Sequence, residues 1–205
     1  MILYNRFIYP VAMDSVCSRP HLGRERARVI PRARGTVLEV GIGSGLNLPF
    51  YNGERVSHLT GIDPSAHAWR RNRVDTASLR FGFEFIQASA GSLPLPEDSV
   101  DTVVTTFTLC TIPDIPLAFS EIRRVLKAGG ILLFCEHGKA PEPAMQSWQR
   151  VVNPLWQLVS GGCHLTRDIP GIVTGNGFKI TWLGSGYSGR RSIGGYHYWG
   201  EAKKA

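Results

Sequence analysis

A carboxylate, three glycines at alternate positions and a second carboxylate one apolar run later are the residues of this chain that best define a chemistry. The run Thr36-Val37-Leu38-Glu39-Val40 breaks into Gly41-Ile42-Gly43-Ser44-Gly45-Leu46-Asn47. Glycines spaced in this way let backbone approach a ligand closely and turn sharply into a following helix, whose free amide groups favour an anionic or electron-rich group. Eighteen residues beyond Gly45, the next apolar run ends in Gly61-Ile62-Asp63. A carboxylate there can accept hydrogen bonds from both hydroxyls of a ribose, so loop and acid together read as a nucleotide site. Leu46 stands where the dinucleotide pattern G-x-G-x-x-G/A wants a third small residue, which disfavours a nicotinamide dinucleotide.

The histidines and cysteines suggest fewer roles. His137 follows the fifth apolar run, at the sheet edge where ligands of open α/β folds bind, and is the candidate for a group that deprotonates or orients a substrate. Arg167 either lines an acceptor pocket or anchors the C-terminal helical segment to the sheet, and Cys110 reads as pocket wall rather than nucleophile. Cys17, Cys110, Cys135 and Cys163 contain no C-x-x-C pair, which argues for a reducing, cytoplasmic setting without a disulfide framework. Cys135, His137, Cys163 and His164 have the atom types of a zinc set, but their spacing argues against one, and no metal is expected.

The elements that must position these residues are legible as alternation. Apolar runs at Thr36–Val40, Ser57–Ile62, Phe83–Gln87, Val100–Thr105 and Gly130–Cys135 are continuous rather than alternating. They read as strands covered on both faces, in a parallel sheet with helices between most of them. Pro116–Ala128 reads as a helix closed by Gly129-Gly130. Met145, Trp148, Val151, Val152, Leu155, Trp156 and Val159 recur at helical spacing despite Pro154, which predicts a core or lid helix with the Trp pair inside. Lys179–Leu183 and Tyr196–Ala202, joined by the glycine-rich stretch Gly184–Gly195, read as a hairpin at the edge of the sheet.

Composition sets outer bounds. The chain of 205 residues is 43% hydrophobic and 19% charged, which is globular rather than disordered. Its apolar runs are too short to span a bilayer, and the reading is a soluble, unexported protein. Lysine and arginine outnumber acids 23 to 16, giving +7, with Arg6, Arg19, Arg24, Arg26, Arg28, Arg32 and Arg34 ahead of residue 36. An anionic partner is one consequence. Nucleic acid is not expected, because the basic cluster carries no interleaved stacking platform.

The order of motifs resembles the S-adenosylmethionine-dependent methyltransferases of the Rossmann-like class, over about residues 36 to 137. Glu39, Gly41, Gly43 and Gly45 are similar to their first motif. Gln87-Ala88-Ser89-Ala90-Gly91 resembles the adenine segment, with Ser89 where an Asp is usual. Ser99 to Cys110 resembles the fourth strand and its loop, and Glu121 to Gly130 the last motif. Phe134-Cys135-Glu136-His137, Asn153-Pro154-Leu155-Trp156 and Gly162-Cys163-His164-Leu165-Thr166-Arg167 are similar to the thiol S-methyltransferases of animals and to bacterial enzymes that methylate hydrogen sulfide or methanethiol.

That resemblance implies a seven-stranded mixed sheet, parallel with an antiparallel edge strand, and S-adenosylmethionine as cofactor. It implies a cofactor set of Glu39, Gly41, Gly43, Ser44, Gly45, Asn47, Asp63, Pro64, Ser89, Ala90 and Thr106. An acceptor pocket would be formed by Tyr4, Asn5, Cys110 and Arg167 beside His137. Residues 1–35 would be a helical cover and 36–205 the methyltransferase domain, in one domain overall, without the N-terminal anchor of the animal proteins. The acceptor expected is a small thiol. The alternative is a phospholipid amine or quinone-like molecule, since the basic arm and amphipathic start admit contact with a membrane surface.

Overall fold

The computed structural model describes residues 9–205. Seven strands form one sheet in the order β3-β2-β1-β4-β5-β7-β6. They are β1 (Gly35–Val40), β2 (Val56–Asp63), β3 (Gly82–Gln87), β4 (Val100–Thr106), β5 (Leu126–His137), β6 (Phe178–Tyr187) and β7 (Tyr196–Lys204). β1 to β5 run parallel, as their continuous apolarity predicts. β7 runs antiparallel to both β5 and β6, which puts the reversed strand one place in from the edge.

Each face of the sheet has its own core. On one side Leu38, Val40, Val103, Leu132 and Phe134 pack against α4 (Ile115–Val125) through Ala118, Phe119, Ile122 and Val125, and against α6 (Ile169–Gly175) through Ile169 and Val173. On the other side Val37, Leu59, Val104 and Leu133 meet Val29 of α2 (Pro20–Val29) and Ile30. Each fully buried aliphatic or aromatic side chain of this kind contributes about 1.5–3 kcal/mol. α1 (Tyr9–Cys17) precedes these layers in the chain, and α5 (Pro143–Val159) links β5 to α6.

The crossovers are shorter than the alternation suggests. Only α3 (Ala66–Trp69) and a 3-10 turn at Thr76–Ser78 lie between β2 and β3, and no helix separates β3 from β4. α4 starts at its expected place, where the Asp114 side chain accepts from Leu117 N at 3.0 Å, an N-cap bond. It ends at Val125, before the glycines. Asp98 N and Ser99 N take the carbonyls of Arg124 and Val125, and Leu126 already pairs with Val100. Gly129, at φ +77, lies within β5, where the register slips relative to β4.

α5 overturns a further expectation. Its apolar residues do not enter either core cluster; Trp148 is 61% exposed, and Trp156 is half-buried. No described helix is long and apolar enough to cross a membrane.

Candidate active site

A cavity of about 620 Å³ opens at the carboxyl ends of β1, β2 and β4. β1 lies between β2 and β4, so the chain leaves it toward one neighbour and returns on the other side, the switch point at which open α/β sheets bind ligands. Glu39, Gly41, Gly43, Ser44, Asn47, Asp63, Pro64, Ser89, Ala90 and Thr106 all line this cavity. Gly45 does not: it is turned toward Leu48, Trp69 and Asn72.

The loop after β1 takes its shape from glycine. Gly41 sits at φ +79, and a Cβ there would collide with the Thr108 side chain. Gly43, at φ +55, has open space where a Cβ would project, and its N–H donates to Asp63 Oδ2 at 3.0 Å. Ser65 N donates to the other Asp63 oxygen at 2.8 Å. Burial pushes the Asp63 carboxyl up, against the lowering effect of these two N–H groups. Each carboxylate oxygen keeps a second lone pair for a ligand hydroxyl. The expected helix after the loop is replaced by a 3-10 turn at Leu48–Phe50. Ligand amides must therefore come from the loop itself rather than from a helix N-terminus.

Glu39 is a brace beneath this loop. Asn47 Nδ2 donates to its Oε1 at 2.8 Å and Tyr51 OH to its Oε2 at 2.7 Å. Asn47 Nδ2 also reaches Thr106 Oγ1 at 2.9 Å, tying loop to β4. Burial raises the Glu39 carboxyl to about 7 despite both donors.

Two wall residues carry no signal in the sequence. Asp14 of α1 accepts from Ser44 Oγ at 2.6 Å, Arg71 at 3.1 Å and Arg73 at 3.3 Å, which clasps α1 to the glycine loop. Arg26 of α2 is buried, donates to Cys17 O at 2.9 Å and lies 5.1 Å over the Phe107 ring. Both are separated from the glycine motif by unrelated spacing, so only the tertiary fold brings them there. Arg26 Nε and Asn47 Oδ1 are buried without partners among the described residues, and both residues line the cavity.

The residues expected to act on an acceptor stand behind this wall. His137, Cys110 and Arg167 do not line the cavity, in contrast to the sequence expectation; Thr106, Phe107, Thr108, Thr111 and Ile112 do. Phe107 bends that segment through φ +53, and the buried Glu136 carboxylate accepts Thr108 N through both oxygens, at 2.8 and 3.1 Å. Arg167 donates to Leu109 O and, at 2.7 Å, to Ile112 O, while His164 N donates to Cys110 O at 2.9 Å. Arg167 is thus an anchor for the cavity wall. Tyr4 and Asn5 lie outside the described residues.

Cys110, His137 and Cys163 form a buried cluster whose donor atoms lie within 4.8 Å of one another, with Cys163 Sγ 3.5 Å from His137 Nε2. Hydrogen bonds from Cys110 and His137 hold the Cys163 thiol below its ordinary range. This is not the four-residue set considered above: Cys110 is a member, whereas Cys135 and His164 are not. Three donors are one short of a closed tetrahedral zinc site.

Fold and site together define an α/β protein of Rossmann-like type with its cavity at the switch point of the sheet. A family model described as a methyltransferase domain matches residues 38–134. Thiol S-methyltransferase TMT1B of Rattus norvegicus is 34% identical over 137 residues, covering 65% of this chain and 55% of that protein. Phosphatidylethanolamine N-methyltransferase of Cereibacter sphaeroides is 36% identical over 137 residues, covering 65% of this chain and 66% of that protein. The solved structure of an SAM-dependent methyltransferase from Thermotoga maritima shares the fold, with a TM-score of 0.68 at 18% identity, over 100% of this chain and 99% of that one. The match spans about half the length of the thiol S-methyltransferase relatives. Residues 38–134 thus match a methyltransferase domain, on a fold shared with an S-adenosylmethionine-dependent methyltransferase.

Proposed function

We propose that this protein transfers the methyl group of S-adenosylmethionine to a small thiol such as hydrogen sulfide or methanethiol. The observation that carries this reading is the pairing of the cavity with 34% identity to a thiol S-methyltransferase over 137 residues. Bound S-adenosylmethionine supplies an electrophilic methyl carbon for in-line displacement. Asp63 accepts the ribose hydroxyls, Ser89 and Ala90 border the base, and Arg26 receives the methionyl carboxylate. α1 and α2 act as a cover held by the Asp14 clasp.

The wall at Phe107, Thr108, Thr111 and Ile112 orients the acceptor, and its protein contribution is alignment at about 3–3.5 Å. No strong base is required, since a free thiol ionises near pKa ~8.5 and a cationic neighbour lowers it further. His137, behind the wall, acts as a positioning residue through Cys163.

The test is purified protein with S-adenosylmethionine and millimolar sulfide or methanethiol, read as methanethiol or dimethyl sulfide in headspace gas. Absence of both products from protein that binds S-adenosylhomocysteine would remove the thiol acceptor. A phospholipid amine is the second reading, favoured by 36% identity to a phosphatidylethanolamine N-methyltransferase. Methylated phosphatidylethanolamine in a vesicle assay is its signature.

A further inference from the structure

α5 is built inside out. Three of its amide side chains face the protein: Gln149 accepts from Ala140 N at 3.0 Å and donates to Gly138 O at 3.1 Å and Ile193 O at 3.0 Å. One turn on, Asn153 Oδ1 accepts from Leu165 N at 2.8 Å, and Gln157 Nε2 lies 3.1 Å from His164 Nδ1. The opposite side carries Trp148, Val151, Leu155 and Leu158, exposed by 61, 73, 65 and 57%. Steps of three, four and three residues put these four on one stripe. Hydrogen bonds fix the helix on the body, so the stripe cannot roll inward.

A stripe of this kind on a monomer's surface marks an interaction site. The charges around it select the occupant. α5 contains no Asp or Glu and one exposed cation, Arg150. The β6–β7 loop, held against α5 through Ile193, adds exposed Arg190 and Arg191. The acid at this end, Glu142, is already engaged by Arg191 at 3.1 Å and Tyr187 at 2.7 Å. Five exposed apolar side chains on one helix, Val159 included, are also few beside the roughly 20–30 residues a side of a stable protein interface. An apolar stripe with Trp, flanked by arginines and lying along a helix too short to span, matches the physics of a helix lying in a lipid interface.

We infer that α5 docks this protein onto an anionic lipid surface, with Trp148, Val151, Leu155 and Leu158 entering the headgroup boundary and Arg150 and Arg190 meeting the headgroups. α5 leads through Ser160 to Gly161, which lines the cavity, so the docking helix runs directly into the cavity wall. An acceptor that partitions into lipid, whether a thiol or a lipid amine, is then delivered locally. The inference does not depend on which acceptor is used.

The experiment is flotation of the full chain with vesicles of phosphatidylglycerol and phosphatidylcholine in equal parts, and with phosphatidylcholine alone. The wild type should float with the anionic vesicles, less as salt rises, and poorly with the neutral ones. Val151→Ser, Leu155→Gln and Leu158→Gln combined should lower the partition coefficient by about tenfold or more, with melting temperature and S-adenosylhomocysteine affinity unchanged. Arg150→Glu with Arg190→Glu should lower it on the anionic vesicles alone. Flotation that the apolar triple variant leaves intact, or no flotation of the wild type, overturns the proposal. So does a micromolar dimer in analytical ultracentrifugation that the triple variant dissociates, since the stripe would then belong to a second copy.

Discussion

Both oxygens of the Glu39 carboxylate are occupied before any ligand arrives, one by Asn47 and one by Tyr51. Its work is to hold the glycine loop rather than to touch the methyl group. The buried carboxyl has its pKa raised from 4.5 to about 7, so between those values the folded state binds the proton that the unfolded state has released. Stability from this residue is therefore complete below about pH 4.5 and is lost as pH rises through 7, by on the order of 3 kcal/mol. Glu39→Gln should flatten that part of the stability curve, measured by urea unfolding at pH 5 and pH 7. Asp63 lines the cavity, and Asp63→Ala should weaken S-adenosylhomocysteine binding by about 1.5–3 kcal/mol, roughly ten- to a hundredfold, by isothermal titration. A change below twofold would detach Asp63 from the ribose. These two acids were legible in the sequence, because strand, loop and acid follow each other at short range. Asp14 and Arg26 were not, because neither bears a spacing relation to the residues it meets.

Among the elements, β1 to β5 could be read directly, since strands buried on both faces need unbroken apolar runs. The end of α4 could not: Gly129-Gly130 is a good stop signal, but the carbonyls of Arg124 and Val125 were captured first by Asp98 and Ser99. α5 was legible as a helix and illegible as to its direction. Periodicity reports that one face is apolar and is silent about whether that face looks inward. The clasp of α1 on the glycine loop is the element-level feature most open to test. Asp14→Ala removes the acceptor of Ser44, Arg71 and Arg73, and should cost about 1–3 kcal/mol of local stability. Faster amide exchange confined to α1, with severalfold weaker S-adenosylhomocysteine binding, is the expected result. Exchange unchanged in α1 would show that other contacts hold it. Arg167→Met should in turn loosen the 109–112 segment and raise acceptor KM more than it alters cofactor affinity.

For the whole molecule, cavity, clasp and cover converge at the center of the sheet, so ligand binding should stabilise the fold as a unit. S-adenosylhomocysteine at a hundred times its Kd should add about 2.7 kcal/mol and raise Tm by roughly 5 °C, read by differential scanning fluorimetry. A shift confined to a minor early transition would mean that the cover melts separately from the sheet. The strand order also governs how such a molecule comes into being. β7 follows β6 in the chain yet lies between it and β5. While the polypeptide emerges from the ribosome, β6 therefore has no partner in the sheet until the segment after it has been made. Its exposed edge must wait through that interval, and pulse-labelled refolding should find β6 and β7 protected together and after β1, β4 and β5.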